Sequence, residues 1–134
     1  MQVNYTADLK YWRRWLFLGV GFVALVVYLS LANITLPQVP STLGDKVNHL
    51  LAYGALAGWF GQLYTESRQR LLIVLLLAIL GLVMEFAQVV VTDYRHFDWF
   101  DACANVLGAV FGTAAVYLGA DRILVWFERK CLSN

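Results

Sequence analysis

Three groups of polar side chains interrupt long apolar stretches of this sequence, and their chemical types are those that enzymes and binding sites use. The groups are Asp45, Lys46 and His49; Glu85 and Gln88; and Asp98, Asp101 and Asn105. Spacings of three, four and seven residues recur within them, and on a helix such residues share one face. Carboxylates and an imidazole can transfer protons, and a lysine or arginine can hold a phosphate or a carboxylate. The pattern therefore predicts three helices that each turn one polar stripe toward a shared site.

The elements that must position these stripes are predicted to be membrane-spanning helices. Of the 134 residues, 60% are hydrophobic and 14% are charged, whereas a soluble domain is nearer to half apolar and a quarter charged. Four apolar segments, roughly 15–32, 47–64, 71–91 and 99–118, approach the ~20 residues that cross a bilayer core. Helices are favoured because lipid offers no partner for unpaired backbone groups. We therefore predict an all-α membrane protein, a four-transmembrane-helix bundle that forms a single domain over residues 1–134.

The basic residues predict the orientation of this bundle. Eight of the ten lysines and arginines fall on the side shared by the N-terminus, the second connection and the C-terminus, and the other two are Lys46 and Arg95. The positive-inside rule makes the first side cytoplasmic. Both termini are then cytoplasmic, and the polar stripes form a pocket at the outer ends of helices 2, 3 and 4. Residues 123–127 are expected to extend the last helix along the inner interface.

Glu85 is the residue that a purely structural explanation accounts for least well. It lies about 9 Å below the outer end of the third helix, at 1.5 Å per residue. A charged side chain in the middle of a spanning helix costs about 2.5–3.5 kcal/mol on insertion scales. Glu85 is therefore expected to be neutral or paired with His49, Lys46 or Arg95. Tyr53 is interpreted as an interfacial hydroxyl.

Small residues predict how closely the helices pack. Gly54 and Gly58 form a Gly-x-x-x-Gly ridge on the second helix, and Ala104, Gly108 and Gly112 form a similar ridge on the fourth. Such ridges let helices approach closely in lipid, where there is no hydrophobic drive to associate. The ridges are equally consistent with packing inside the bundle and with a homodimer.

The polar groups, taken in order, resemble the VanZ family of small bacterial membrane proteins. The residues that carry the resemblance are Asp45-Lys-Val-Asn-His49-Leu-Leu-Ala-Tyr53, Glu85-Phe-Ala-Gln88 and Arg95-x-x-Asp98-x-x-Asp101-x-x-x-Asn105-x-x-Gly108-x-x-x-Gly112, within a region of about residues 44–118. Family members often have a glycine just before the arginine, where this chain has Tyr94. The founding member is linked to teicoplanin resistance. The resemblance thus implies a protein of the bacterial inner membrane, with a role in the cell envelope and with membrane lipids or a lipid-linked cell-wall precursor as partners.

Two functional hypotheses share the outer pocket. In the first, the protein is an enzyme that acts on a lipid-linked substrate or a phospholipid, with Glu85, His49 and Asp101 as candidate catalytic residues. The candidate substrate-binding residues are Lys46, Arg95, Gln88, Asn105, Asp45 and Asp98. Asp98 and Asp101 could add a divalent cation, because oxygen ligands suit magnesium and calcium. In the second hypothesis, the pocket binds or transports an envelope lipid or an antibiotic without chemistry.

A third hypothesis gives the polar groups a structural role only. Hydrogen bonds between membrane helices fix their register, and each contributes about 0.6 kcal/mol on average. The hypotheses stay open at this point, because no hydrolase or transferase signature and no standard zinc spacing is present. Nucleic acid is not an expected partner, since the net charge is +1 and the sequence has no basic patch with interleaved aromatic residues.

Overall fold

The structure is a computed structural model that describes residues 9–32, 44–91 and 97–132, and within these ranges it contains five α-helices and no strand. The helices are α1 (Trp12–Leu31), α2 (Gly44–Leu63), α3 (Ser67–Val91), α4 (Trp99–Tyr117) and the short α5 (Ile123–Phe127). A 3-10 turn (Ala120–Arg122) precedes α5, and a π-helical turn (Glu128–Leu132) follows it. The all-α prediction is confirmed, and each predicted span is a helix that starts at, or up to four residues before, the expected position.

Three of the helices are long and apolar enough to cross a membrane. These are α1, α3 and α4, with mean hydropathies of 1.9, 2.5 and 1.3 over their most apolar stretches. Large apolar side chains cover their outer surfaces, among them Phe17, Ile79, Val90 and Phe111. In water such a surface would be costly, whereas in lipid it needs no partner. Helix α2 falls short on the same measure, because its first two turns carry Asp45, Lys46 and His49 and its remainder is rich in glycine.

The four long helices alternate in direction. Lys46 contacts Asp101 at the start of α4, and Gly61 meets Val116 near its end, so α2 and α4 run parallel. Helix α1 is antiparallel to α2, because the Trp59 indole near the end of α2 donates a hydrogen bond to the carbonyl of Trp15, at 3.0 Å. The bundle therefore has two different ends. We call the end that holds the first turns of α2 and α4 the polar end.

Close backbone contact between α2 and α4 depends on glycine. A Cβ atom built at Gly108 would lie closer than 3.0 Å to the carbonyl oxygen of Leu50, and one at Gly112 equally close to that of Gly54. At Gly58 the added atom would meet Gly112 at 3.6 Å, an ordinary contact. Both predicted ridges thus face each other within one chain. A homodimer through them stays a prediction, and it would have to use glycines that are already engaged.

At the end opposite to the polar end, hydrogen bonds of Glu128 and Arg70 join segments of the chain. The carboxylate of Glu128 is buried and accepts hydrogen bonds from the backbone N–H groups of Lys10 and Tyr11, at 2.8 and 3.0 Å, and from the Trp15 indole. It lies at the start of α1, where unpaired N–H groups and the helix dipole favour an anion. Arg70 donates to the carbonyls of Gly61 and Tyr64 at the end of α2.

A tight turn places the C-terminal segment against the end of the bundle opposite to the polar end. Gly119 has a φ of 118°, a left-handed conformation that glycine adopts without steric cost, and it ends α4 two residues after Tyr117. The chain then folds back so that the N–H of Leu124 donates to Gln62 of α2, at 3.0 Å. Leu124 and Val125 are buried against α1 and α2.

Candidate functional site

The first turns of α2 and α4 meet through an ion-pair network at the polar end. The ammonium of Lys46 lies 2.8 Å from Asp98 Oδ2 and 3.0 Å from Asp101 Oδ1. Asp98 is also the N-cap of α4, since its Oδ1 accepts a hydrogen bond from the Phe100 N–H at 2.8 Å. The Lys46 ammonium and this N–H both favour the charged form, and together they hold the pKa of the Asp98 carboxyl below its ordinary value. One lysine therefore binds two aspartates and ties α2 to α4.

A second bridge between the same helices lies one turn deeper. His49 Nδ1 is 3.0 Å from Oδ1 of Asn105, and the Asn105 side chain is fully buried. With the amide oxygen oriented toward the ring, it can only accept, so this hydrogen bond requires the His49 tautomer that carries its proton on Nδ1. The neutral imidazole then presents its lone pair at Nε2, which lies 3.9 Å from Asp45 Oδ1. Ligand atoms of His49 and Asp101 lie within 4.8 Å of each other, so His49, Asp101 and Asn105, which are predicted to share one site, lie close together.

Gly81 of α3 makes room for Asn105. A Cβ atom at this position would lie 2.9 Å from Asn105 Nδ2 and 3.0 Å from its Cβ. The asparagine therefore sits at the contact of three helices, with His49 on one side and the α3 backbone on the other. Gly81 could not be recognised from the sequence, because an isolated glycine in an apolar helix shows its role only once the facing residue is known.

Glu85 and Tyr53 form the buried floor of the site. Both side chains are 1% exposed, and they are close enough to interact electrostatically. Glu85 lies one turn beyond Gly81 on α3, and Tyr53 one turn beyond His49 on α2. The interpretation of Tyr53 as an interfacial hydroxyl is not what the structure shows, because the ring packs into the core with Leu56, Ala57 and Ala109.

The other predicted site residues lie at different distances from the polar groups of α2 and α4. Asp45 is 36% exposed at its rim. Gln88 is buried, but its amide donates to the carbonyl of Ser30 at the end of α1, at 2.9 Å, and this bond joins α3 to α1. Arg95 lies outside the described residues. The structure thus brings together the polar groups of α2 and α4 with Glu85 beside them, and it directs Gln88 toward another helix.

A cavity elsewhere in the bundle has a different character. It measures about 390 Å³ and is lined mainly by apolar side chains of α1, α2 and α3, including Val23, Phe60, Leu72 and Leu76. These positions lie in the half of the bundle away from the polar end. The cavity is therefore separate from the charged cluster, and its lining offers little that could take part in acid–base chemistry.

Comparison with known proteins gives one relationship. The chain is 36% identical to an uncharacterised protein of the fission yeast Schizosaccharomyces pombe over an alignment of 96 residues, which covers 68% of this chain. The chain spans about half of that relative, namely 56% of its length. No protein-family model matches the sequence. No solved structure matches it either.

Proposed function

We propose that the chain is a four-span, VanZ-like membrane protein that binds a phospholipid headgroup at the cluster formed by Lys46, His49, Asp98, Asp101 and Asn105. In this proposal both termini are cytoplasmic and the cluster faces outward. The resemblance to VanZ points to a bacterial inner membrane, whereas the similar yeast protein belongs to a eukaryote. We therefore prefer phospholipid, which both kinds of cell contain, over a cell-wall precursor and over a role in teicoplanin resistance.

The fourth span in this proposal is α2. Its 20 residues match the length of α1, about 30 Å at 1.5 Å per residue. Its hydropathy is low because it contains several glycines and polar residues, and Gly54, Gly58 and Gly61 face α4 rather than lipid. A helix that is shielded by three neighbours does not need the apolar surface of a helix that stands in lipid. Support comes from the ends of α2, which lie level with those of α4 at Lys46 and Gly61.

The observation that carries the proposed binding site is the composition of the rim. Asp45, Lys46 and Asp98 are all partly exposed there. A phospholipid headgroup that holds a phosphate and an amine presents both charges within a few ångströms. Its phosphate would face the Lys46 ammonium, and its amine would face the two carboxylates. We propose a zwitterionic headgroup of this kind as the ligand.

Acid–base chemistry on the bound lipid would involve His49, Glu85 and Asp101, which are more buried than the residues of the rim. The His49 tautomer with its proton on Nδ1, bonded to Asn105, would leave the Nε2 lone pair toward Asp45 at the rim, which is the form that a general base requires. Glu85 lies beside Tyr53 in the buried floor and would supply or take up a proton from below. Asp101 would orient Lys46 through their 3.0 Å contact.

Lipid retention by purified protein tests the binding site. We expect the wild-type chain, extracted with mild detergent, to keep a zwitterionic phospholipid that native mass spectrometry identifies. The change Lys46→Gln should release it, while Lys130→Gln, an exposed lysine at the other end of the chain, should not. Equal retention by both variants, or retention of anionic lipid alone, would contradict the proposal.

A purely structural role is the second candidate, and two contacts favour it. Lys46 is engaged by two aspartates, and Gln88 is engaged by α1. If the network only fixes helix register, Lys46→Gln should lower thermal stability without changing which lipid is bound. The two candidates are therefore separated by the same pair of variants, measured once for lipid and once for stability.

A further inference from the structure

Three side chains with metal-binding atoms converge at the polar end. Asp45, His49 and Asp101 each offer one ligand atom, and these atoms all lie within 4.8 Å of one another. Asp45 and His49 come from consecutive turns of α2, and Asp101 comes from the first turn of α4. Because α2 and α4 are locked by backbone contacts at Gly108 and Gly112, the two sides of this group are held at a fixed separation.

The orientation of His49 points independently to a ligand. Its side chain is 90% buried, given an exposed fraction of 10%, and Nδ1 is taken by Asn105. Nε2 has no hydrogen-bond partner among the described residues, and the nearest carboxylate oxygen is 3.9 Å away. Metal-binding histidines almost always donate the other ring N–H to an oxygen acceptor, which fixes the tautomer and aims the lone pair at the ion. Asn105 has this role here.

Charge favours a divalent cation at the same place. The three carboxylates of Asp45, Asp98 and Asp101 face one ammonium, that of Lys46, which leaves two negative charges in excess within the described cluster. Lys46 contacts Oδ1 of Asp101, so the second oxygen of that carboxylate can face another cation, whereas Asp98 gives its second oxygen to the Phe100 N–H. An ion of charge +2 would make the cluster formally neutral at the edge of a low-dielectric region, where uncompensated charge is costly.

We propose that Asp45, His49 and Asp101 form a Zn²⁺ site. One imidazole nitrogen and two carboxylate oxygens are a ligand set that zinc accepts, whereas magnesium and calcium prefer oxygen alone. Bonds of ~2.0–2.2 Å put tetrahedral ligands ~3.4 Å apart, somewhat closer than the 3.9 Å between His49 Nε2 and Asp45 Oδ1. A small rotation of the partly exposed Asp45 would close that gap. Water would then complete the coordination, or a lipid phosphate where the proposed lipid binding holds. With zinc bound, Nε2 of His49 is a ligand, so its proposed role as a base belongs to the metal-free protein.

Calorimetric titration with the metal alone tests the site without assuming any lipid ligand. The protein should carry no polyhistidine tag, and both exposed cysteines, Cys103 and Cys131, should be serine, because thiolates bind zinc. After treatment with a chelator, we expect one Zn²⁺ per chain. His49→Gln and Asp101→Asn should each weaken binding at least tenfold. Asp121→Asn, a change beyond the other end of α4, is the matched control and should bind as the parent does.

Two further measurements keep the test decisive. Asn105→Leu should weaken zinc about 10–100-fold, as loss of an outer-shell partner does, and Co²⁺ should give a visible absorption band that His49→Gln alters. Circular dichroism checks that each variant is folded, and Asp45→Asn, at the exposed rim, replaces any variant that is not. Absence of saturable binding by the parent, equal binding by His49→Gln, or equal competition by Mg²⁺ would overturn the proposal.

Discussion

Replacing Gly112 with alanine tests whether the α2–α4 contact holds the site together. The added Cβ would lie closer than 3.0 Å to the carbonyl oxygen of Gly54. That oxygen is part of a helix backbone and cannot rotate away, so α4 must move outward. Overpacking costs about 1–3 kcal/mol, and we expect the upper end because the obstacle is backbone. Alanine regains about 1 kcal/mol of helix propensity over glycine. The net loss in free energy of unfolding should be about 2 kcal/mol.

Two other glycines are matched controls for the same change. At Gly58 the new atom would meet Gly112 at 3.6 Å, and at Gly21 it would meet nothing within 4 Å. Gly21→Ala should therefore raise the free energy of unfolding by up to about 1 kcal/mol. Gly58→Ala should leave it unchanged or raise it slightly. The assay is unfolding in mixed micelles, followed by circular dichroism as the fraction of SDS is raised. If Gly112→Ala proves as stable as Gly21→Ala, the deduced backbone contact is wrong.

Three further expectations concern single carboxylates. Glu85→Gln should keep or raise thermal stability, because glutamine preserves size and hydrogen bonding without the cost of inserting a charge. If Glu85 transfers protons, this variant should nevertheless fail to rescue a deletion strain. Full rescue would exclude that role. Glu128→Gln should lower the free energy of unfolding by about 1.5–3 kcal/mol, the value of a hydrogen bond to a charged group, whereas Asp121→Asn should change it little in the same SDS titration. Because the pKa of Asp98 is lowered in the folded protein, this carboxylate stabilises the fold above the ordinary carboxyl pKa of about 4. The stabilisation is lost as the pH falls through the pKa of the folded state. Asp98→Asn should therefore flatten the dependence of unfolding free energy on pH below about 4, and an unchanged dependence would contradict this.

The helices and the meeting of α2 with α4 could be predicted because both depend on local patterns. Apolar runs mark the spans, and spacings of three, four and seven residues place Asp45, His49, Asp101 and Asn105 on facing stripes. The same rule was less accurate for Gln88. A step of three residues turns a helix by about 300°, so Gln88 is rotated roughly 60° from Glu85, and this is enough to direct it to Ser30 of α1.

The remaining features depend on contacts that a local pattern does not encode. Glu128 caps α1 from 118 residues along the chain, and nothing near it in sequence indicates that role. Tyr53 was expected at the interface, but its side chain is buried in the core among residues of α2 and α4. Gly81 gained meaning only from Asn105, which faces it. Such pairings follow from how the helices are rotated against each other, which the sequence of one helix does not determine.

The low hydropathy of α2 has a consequence for how the protein is made. Helix α2 ends at Leu63 and α4 begins at Trp99. If α2 is the fourth span, as proposed, synthesis delivers it to the membrane well before the helix that covers its glycine face. At typical rates of ~5–20 residues per second, the 35 residues between them take about 2–7 s. During that interval Lys46 has no aspartate and His49 has no asparagine. In that proposal the insertion machinery, and not α1 and α3 alone, would hold α2 until α4 arrives. Truncating the nascent chain just after residue 96 should leave α2 outside the bilayer or open to proteolysis, whereas α1 and α3, with their apolar surfaces, should already be integrated.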